Sequence, residues 1–391
     1  MAAVTARALS SQLATAARAF PAVLLTGPRR AGKTTLLRSV FPHAGYYLLE
    51  DPDLVGRVEA DPRGFLDDLA PPVILDEIQN APELLAYVRT RVDAAPRRMG
   101  QWFLTGSQET PLMQGVTESM AGRAAVLQLL PFSTLETPKV TLLTGGYPEV
   151  VARPATRALW FASYLQTYLE RDVRAVTAIR DLATFRRFIA LVASRTGQML
   201  NRSDFAAPLG ITVPTVTQWL SILEITGQIF IVPPYFANFG KRLVKAPKIY
   251  LSDSGLACHL LGIEASAELE RSPFLGALWE GFVAGELAKQ QVNAGRRREL
   301  YYFRDHQGLE VDFLVPAGNG RVRLIEARAS RTAFPQMADG IARLAAGMKA
   351  GAAIGAVVYR PSSAVSTTAL RPGIKAVSLP QLLAETAHAR R

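Results

Sequence analysis

A glycine-rich loop near the N-terminus carries the residue types that bind phosphate. It follows the apolar run 22–25 and precedes the helical stretch 35–40. The loop residues with predicted contacts to ATP are Gly27, Pro28, Arg29, Arg30, Ala31, Gly32, Lys33, Thr34 and Thr35. The glycines allow successive N–H groups and the helix N-terminus to face an anion, the lysine can reach the β- and γ-phosphates, and the first threonine can ligate Mg²⁺. This arrangement predicts a site for ATP and Mg²⁺.

A pair of acids follows farther along the chain. Residues 71–75 form a short apolar run that leads directly into Asp76 and Glu77, as expected of a buried parallel strand whose carboxyl end meets a ligand. Asp76 would hold Mg²⁺ directly or through water, while Glu77 would orient the attacking water and help to deprotonate it. The two patterns together predict ATP hydrolysis, with Lys33 and Glu77 as catalytic residues.

Three further residues are candidates for sensing or stabilising the γ-phosphate. The next apolar strand, 102–104, ends in Thr105, and Ser107 follows two residues later. Either hydroxyl would lie beside the acids of the neighbouring strand, or would simply begin a turn. Arg123 precedes the strand 125–129 and would contribute catalytically by reaching phosphate charge in its own or a neighbouring subunit. A solvated surface arginine is the alternative, and both interpretations remain open.

Length and composition set limits on the rest of the molecule. The chain has 391 residues, 49% hydrophobic and 20% charged, so it is globular and long enough for two or three domains, of which we expect three. No segment reaches the roughly 18 apolar residues of a membrane span, so no membrane contact is predicted. One cysteine and four scattered histidines fit a cytoplasmic protein without disulfides or zinc. The net charge of +11 favours a polyanion such as DNA, although excess arginine is also common in proteins from GC-rich genomes.

The middle of the chain predicts a helix-turn-helix that is followed by a wing. The expected elements are helices over 185–195, from 203 and over 214–225, a turn at 210, and strands over 229–236 and 243–251. The predicted wing carries four basic residues without an intervening acid, namely Lys241, Arg242, Lys245 and Lys248. This pattern favours contact with DNA phosphates, but the second helix of the motif has no lysine or arginine, so base-specific reading is poorly supported. Non-specific DNA binding and a purely structural role both remain open.

The C-terminal part predicts elements in the order α-β-β-β-α-β. They are a helix from 279, strands over 300–303, 310–315 and 322–326, a helix from about 335 and a strand over 353–359. Asp312 and Glu326 stand near the ends of adjacent strands, where two carboxylates can converge on Mg²⁺. The order and these acids resemble the PD-(D/E)xK nuclease fold, with Glu280 as a further acid on the helix. Arg328 stands where active nucleases of that fold have lysine, and its guanidinium stays protonated and suits bidentate phosphate contact.

Seven short motifs are spread over nearly the whole chain. They are GPRRAGKTTLL from 27, LDEIQ at 75–79, LTGSQ from 104, AGR at 121–123, GGYPE at 145–149, YLQTYLERDV from 164 and KAPKIYLSDSGL from 245. Together they resemble a family of bacterial and archaeal AAA+ ATPases with a C-terminal domain of unknown function. With the patterns above, the resemblance implies an α/β protein with an AAA+ P-loop NTPase domain over 1–137, a helical and winged-helix domain over 138–265, and a restriction-endonuclease-like domain over 266–391. It also favours a homo-oligomeric ring.

Three hypotheses for the function follow from these patterns. The leading one is an ATPase whose hydrolysis cycle regulates a surface of the two downstream domains. This surface binds either the phosphates of DNA or a protein partner. One alternative is an ATP-dependent DNA nuclease. The other is an ATP-sensing regulator or toxin–antitoxin component with little turnover.

Overall fold

The computed structural model describes residues 5–106, 120–168, 181–235, 245–361 and 367–388. Its N-terminal part contains the strands β1 (Ala22–Thr26), β2 (Gly45–Leu48), β3 (Val73–Asp76), β4 (Trp102–Thr105) and β5 (Ala124–Gln128). They pair in parallel in the order β2-β3-β4-β1-β5. Strands β1, β3 and β4 are buried along their whole length, which explains why their sequences are continuous apolar runs.

Helices cover both faces of this sheet. They are α1 (Ser10–Ala19), α2 (Lys33–Val40), α3 (Pro52–Ala60), α4 (Pro62–Asp67) and α5 (Leu84–Ala94). Because neighbouring residues of a strand point to opposite faces, Val23 and Leu25 pack with α1 and α2, whereas Leu24 packs with α3, α4 and α5. The predicted α/β class is therefore confirmed for this part of the chain.

The helices expected in the middle of the chain lie close to their predicted positions. The elements are α6 (Pro148–Ala152), α7 (Arg157–Tyr168), α8 (Leu182–Ser194), α9 (Ser203–Leu209), α10 (Val213–Ile225), β6 (Ile229–Val232), β7 (Lys248–Leu251), α11 (Ser254–Leu260) and α12 (Ser266–Arg271). Asp181 and Thr212 cap α8 and α10 by accepting backbone N–H groups. Strands β6 and β7 form an antiparallel pair. They are shorter than predicted, and 236–244 of the expected wing lies outside the described residues.

The C-terminal part has the predicted order α-β-β-β-α-β, and further elements follow it. The elements are α13 (Leu275–Asn293), β8 (Tyr301–Arg304), β9 (Glu310–Pro316), β10 (Val322–Ala327), α14 (Asp339–Ala346), β11 (Ala353–Val358), β12 (Thr368–Arg371), β13 (Ile374–Val377) and α15 (Leu379–His388). Its mixed sheet has the order β12-β13-β11-β10-β9-β8. The last two strands and α15 were not predicted from the sequence.

The middle and C-terminal parts share one hydrophobic core. A continuous cluster of buried side chains runs from Phe132 through Phe188 and Tyr250 to Phe313 and Leu383. The backbone continues this contact, because the segment after β6 exchanges hydrogen bonds with Tyr302 of β8. The two parts are therefore packed as one body rather than joined by a linker.

Within the described ranges, no helix combines the length and the apolar character that crossing a bilayer requires. The longest described helix, α13, has 19 residues and carries Glu280, Glu286 and Lys289, which form ion pairs.

Candidate nucleotide-binding site

The glycine-rich loop connects β1 to α2, and two of its positions accept only glycine. A methyl group added at Gly27, whose φ is 138°, would lie 2.1 Å from the carbonyl oxygen of Leu129. Gly32 has a φ of 97° immediately before α2. The buried Lys33 begins this helix, and its Nζ donates to the carbonyls of Gly27 (3.0 Å) and Pro28 (3.2 Å). The loop thus holds a cation at the helix N-terminus, where phosphate binds most readily.

The two predicted metal ligands from separate motifs lie together. Asp76, at the end of β3, accepts a hydrogen bond from the Thr34 hydroxyl at 2.8 Å and is almost fully buried. A carboxylate and a hydroxyl at the mouth of a phosphate loop are ligands that suit Mg²⁺. The donor chemistry of Thr34 and Asp76 therefore fits the ion that accompanies ATP.

Thr105 aligns the two acids. Its hydroxyl donates to Asp76 and accepts the backbone N–H of Glu77 at 2.9 Å. Glu77 adopts a left-handed conformation with φ 59° and ψ 51°, which costs about 1 kcal/mol or more and persists only where neighbouring contacts maintain it. The Glu77 carboxylate also accepts a hydrogen bond from Gln79. Thr105 thus positions both acids, while its role as a sensor stays a prediction, and Ser107 lies outside the described residues.

Tyr46 is a member of this site that the sequence analysis missed. Its hydroxyl donates to Oδ2 of Asp76 at 2.8 Å, the oxygen that also accepts the hydrogen bond from Thr34. Burial and, to a smaller extent, the hydrogen bond to Asp76 raise the pKa of Tyr46. The phenol therefore stays protonated and acts as a donor. Tyr46 lies opposite Ile74 in the β2–β3 pair, and Ile74 and Asp76 point to the same face of the sheet because they are two residues apart. The pairing of these two strands is therefore the signal that could have identified Tyr46.

Arg7 stabilises the phosphate loop through hydrogen bonds and is a second residue that the sequence analysis missed. Its guanidinium donates to the carbonyls of Ala31 and Leu130 and to the Glu136 carboxylate at 2.9 Å. It also stacks over Phe132, with its Cζ 4.4 Å from the ring centre. Burial lowers the pKa of Arg7, and Glu136 opposes this shift. Arg7 therefore ties the phosphate loop to the chain that leaves β5.

Arg123 lies at the edge of the sheet opposite the phosphate loop, too far away to reach phosphates bound in its own subunit. It precedes β5, which runs parallel to β1 with Ala124 opposite Ala22, so it sits at the edge away from the loop. Five strand residues at about 3.3 Å each separate the two edges by about 16 Å. The guanidinium instead pairs with Asp93 on the surface, with Nε 2.6 Å from Oδ1. The expectation of a contact within one subunit is corrected, and only the contact to a neighbouring subunit stays a prediction.

The four basic residues of the predicted wing do not share one environment. Lys241 and Arg242 lie outside the described residues, and Lys245 is exposed. Lys248 is only 3% exposed, and its Nζ lies 2.7 Å from Glu310 and 2.9 Å from Glu280. The expectation that Lys248 contacts DNA phosphate is therefore wrong, because its charge is buried against carboxylates.

The predicted acids of the C-terminal part do converge. Asp312 of β9 and Glu326 of β10 lie side by side, and Glu326 pairs with Arg328 at 2.8 Å. Burial and then repulsion by Asp312 raise the pKa of Glu326, against the attraction of Arg328. Burial and repulsion by Asp312 likewise raise the pKa of Glu280, against the attraction of Lys248. Nowhere in the described ranges do three or more acidic, histidine or cysteine side chains form a group able to hold a metal ion.

Comparison with known proteins agrees with the geometry of the N-terminal site. Residues 19–137 match an AAA domain. Residues 136–267 and 275–382 match two domains of unknown function, DUF8612 and DUF4143. The N-terminal part is therefore a P-loop domain of the AAA class.

Relatives place the whole chain in a family. Uncharacterized proteins of Mycobacterium tuberculosis and Mycobacterium bovis are each 34% identical over 316 residues, which cover 79% of this chain and 70% of each relative. The chain belongs to the family of these two proteins. Among solved structures, a Walker-type ATPase of Pyrococcus abyssi is 17% identical, with a TM-score of 0.44, over 64% of this chain and 94% of that one.

Proposed function

We propose that this protein hydrolyses ATP with Mg²⁺ and that the nucleotide state alters a surface of the middle and C-terminal parts that binds DNA or a protein partner. The observation that carries the ATPase proposal is the convergence of Thr34, Tyr46 and Thr105 on Asp76, next to the buried Lys33. We expect the protein to be cytoplasmic. We also retain the three-domain division at 137 and 265 as part of the proposal, with the second and third domains packed around one shared core.

Each residue of the site has a separate role in the proposed hydrolysis. Lys33 and the loop N–H groups bind the phosphates. Thr34 and Asp76 would hold Mg²⁺, which neutralises phosphate charge when bound. Glu77, fixed through Thr105, orients the attacking water and accepts its proton. Tyr46 keeps Asp76 directed towards Thr34 by occupying the same carboxylate oxygen.

Direct contacts join the phosphate loop to the rest of the molecule. A methyl group added at Gly227, in the turn before β6, would lie 2.9 Å from Cγ of Pro28, so this turn packs on the loop itself. On the other side, Lys289 of α13 donates to the carbonyl of Phe132 at 2.9 Å, and Glu286 accepts from the backbone and hydroxyl of Thr134. A shift of the loop on ATP binding would press on the turn before β6 and, through Arg7, on the chain that α13 holds.

Arg123 is proposed to act on the nucleotide of a neighbouring subunit in a homo-oligomer. We expect Arg123→Ala to lower turnover at least about tenfold at protein concentrations that favour assembly, and to leave ATP affinity nearly unchanged. Phosphate release is measured against protein concentration, with Asp93→Ala as the control, because it frees Arg123 without removing it. Turnover independent of concentration, together with an unaffected Arg123→Ala variant, would exclude both the contact of Arg123 with a neighbouring nucleotide and the assembly.

DNA binding is proposed to depend on contacts of Lys241, Arg242 and Lys245 with DNA phosphates. We expect replacement of Lys241, Arg242 and Lys245 by Ala to reduce the slope of log affinity against log salt by roughly 2 to 3. The titration uses duplexes of unrelated sequence, which should bind alike. A control of equal charge change replaces Arg97, Arg98 and Lys349, which are exposed in other parts of the molecule. Equal slopes for the two triple variants would contradict the assignment of the wing.

A further inference from the structure

Lys248 of β7 is enclosed by carboxylates that belong to the C-terminal part. Its Nζ lies 2.7 Å from Glu310, 2.9 Å from Glu280 and 3.7 Å from Asp312. Glu280 comes from α13, and the other two acids come from β9. One ammonium group thus joins a strand of the middle part to a helix and a strand of the C-terminal part.

The space around this ammonium group is filled. The Tyr250 hydroxyl donates to Glu280 at 2.6 Å, and the Tyr302 ring centre lies 5.5 Å from Nζ. The N-terminal turn of α14 covers the neighbouring Glu326, because a methyl group added at Gly340 would lie 3.0 Å from Glu326 Oε1. Asp312 and Glu326 are 6% and 2% exposed. Among the described residues, these two carboxylates are therefore covered, and a phosphodiester would reach Glu326 only if α14 moved.

The charges of the cluster are arranged around Lys248. Arg304 pairs with Glu310 at 3.1 Å and Arg328 pairs with Glu326 at 2.8 Å. Lys248 in contrast contacts three acids. Burial alone would lower the pKa of Lys248, but attraction to Glu280, Asp312 and Glu310 outweighs it and raises the pKa. Carboxylate oxygens are also the ligands that Mg²⁺ and Ca²⁺ take in proteins, but here an ammonium group stands among them, and with it in place the described acids form no group that could hold a metal ion.

We propose that Lys248 acts as a built-in cation that occupies the position of a divalent metal ion in this carboxylate cluster. The ammonium group excludes the metal and holds β7 against the C-terminal sheet. The cluster is therefore a structural junction rather than a centre for metal-dependent cleavage of DNA, and its capacity to bind a divalent ion is suppressed by one side chain of the same chain.

Mn²⁺ binding to the nucleotide-free protein tests this proposal. We compare wild type, Asp312→Asn, Lys248→Met, Lys248→Met/Asp312→Asn, and Lys349→Met as a matched control at an exposed lysine. Removing one positive charge at 3.7 Å from Asp312 is expected to tighten Mn²⁺ binding by about tenfold or more. This gain should vanish when Asp312 is also replaced. Mn²⁺ should also raise the melting temperature of Lys248→Met and leave that of wild type and Lys349→Met unchanged.

Three outcomes would overturn the proposal. The first is Mn²⁺ binding by wild type that is lost on Asp312→Asn, and the second is a folded Lys248→Met variant without any gain. The third is metal-dependent cleavage of plasmid DNA by wild type that Lys248→Met abolishes, since the lysine would then be catalytic. If Lys248→Met does not fold without metal, the charge-compensated Lys248→Met/Glu280→Gln should fold. Failure of that variant as well would also overturn the proposal, because Lys248 would then do more than supply the charge.

Discussion

Glu77→Gln is expected to slow ATP hydrolysis about 100-fold or more while leaving ATP bound. Glutamine keeps the shape of the side chain and can still accept the hydrogen bond from Gln79, but it cannot take a proton from water. Lys33→Ala is expected to lose ATP binding itself, and hydrolysis with it, because the loop loses the cation that reaches the β- and γ-phosphates. The pair therefore separates the chemical step from phosphate binding.

The measurement combines a titration with a fluorescent ATP analogue and a phosphate-release assay on the same samples. Glu83→Gln is the matched control, since it makes the same chemical change at an exposed position and should alter neither quantity. Equal ATP affinity in wild type and Lys33→Ala would contradict the assignment of this loop as the element that binds the phosphates of ATP. Unchanged turnover in Glu77→Gln would remove Glu77 from the mechanism.

Arg7→Met is expected to destabilise the N-terminal domain by about 3 kcal/mol, which is the cost of breaking a buried ion pair from one side. Methionine fills most of the volume, but it leaves the Glu136 carboxylate without its cation and the carbonyls of Ala31 and Leu130 without their donors. Glu136 keeps three bonds, from Ala8 and from the backbone and hydroxyl of Ser133, so we expect the lower end of the usual range. ATP affinity should fall as well, because Ala31 belongs to the loop.

Urea denaturation followed through the first unfolding transition measures this loss. The variant Arg7→Met/Glu136→Gln, which removes both charges, should recover part of the stability, and the double-mutant cycle gives the coupling of the pair. A midpoint for Arg7→Met equal to that of wild type would show that the pair contributes nothing. Recovery of stability without recovery of ATP affinity would locate the effect on the nucleotide in the bond to Ala31.

The nucleotide site was predictable to the extent that its residues are contiguous. The loop and the Asp76–Glu77 pair are local patterns with a mechanical reason for each residue type. Tyr46 and Arg7 were missed because their contacts are made across the fold: Arg7 meets Glu136 at a separation of 129 residues. Nothing in the sequence near Arg7 marks it as different from the other arginines of the N-terminal stretch.

Lys248 illustrates a different limit. Lysine is almost never fully buried unless it is paired, so a run of basic residues in a predicted wing favours a solvated surface. The partners that reverse this expectation come from α13 and β9, which follow later in the chain. The strand carrying Asp312 was predicted from its own pattern, but its position next to β7 depends on packing that no local pattern contains.

The single core that runs from Phe132 to Leu383 bears on how such a chain can be assembled by gene fusion. The AAA domain has its own apolar clusters on both faces of its sheet, so it can be exchanged between proteins as a unit. A recombination event near 265 would instead part side chains that fill one another's space, leaving each half with an uncovered apolar surface. We therefore expect the two downstream parts to be inherited together, with Lys248 and its carboxylate partners retained or lost as a set.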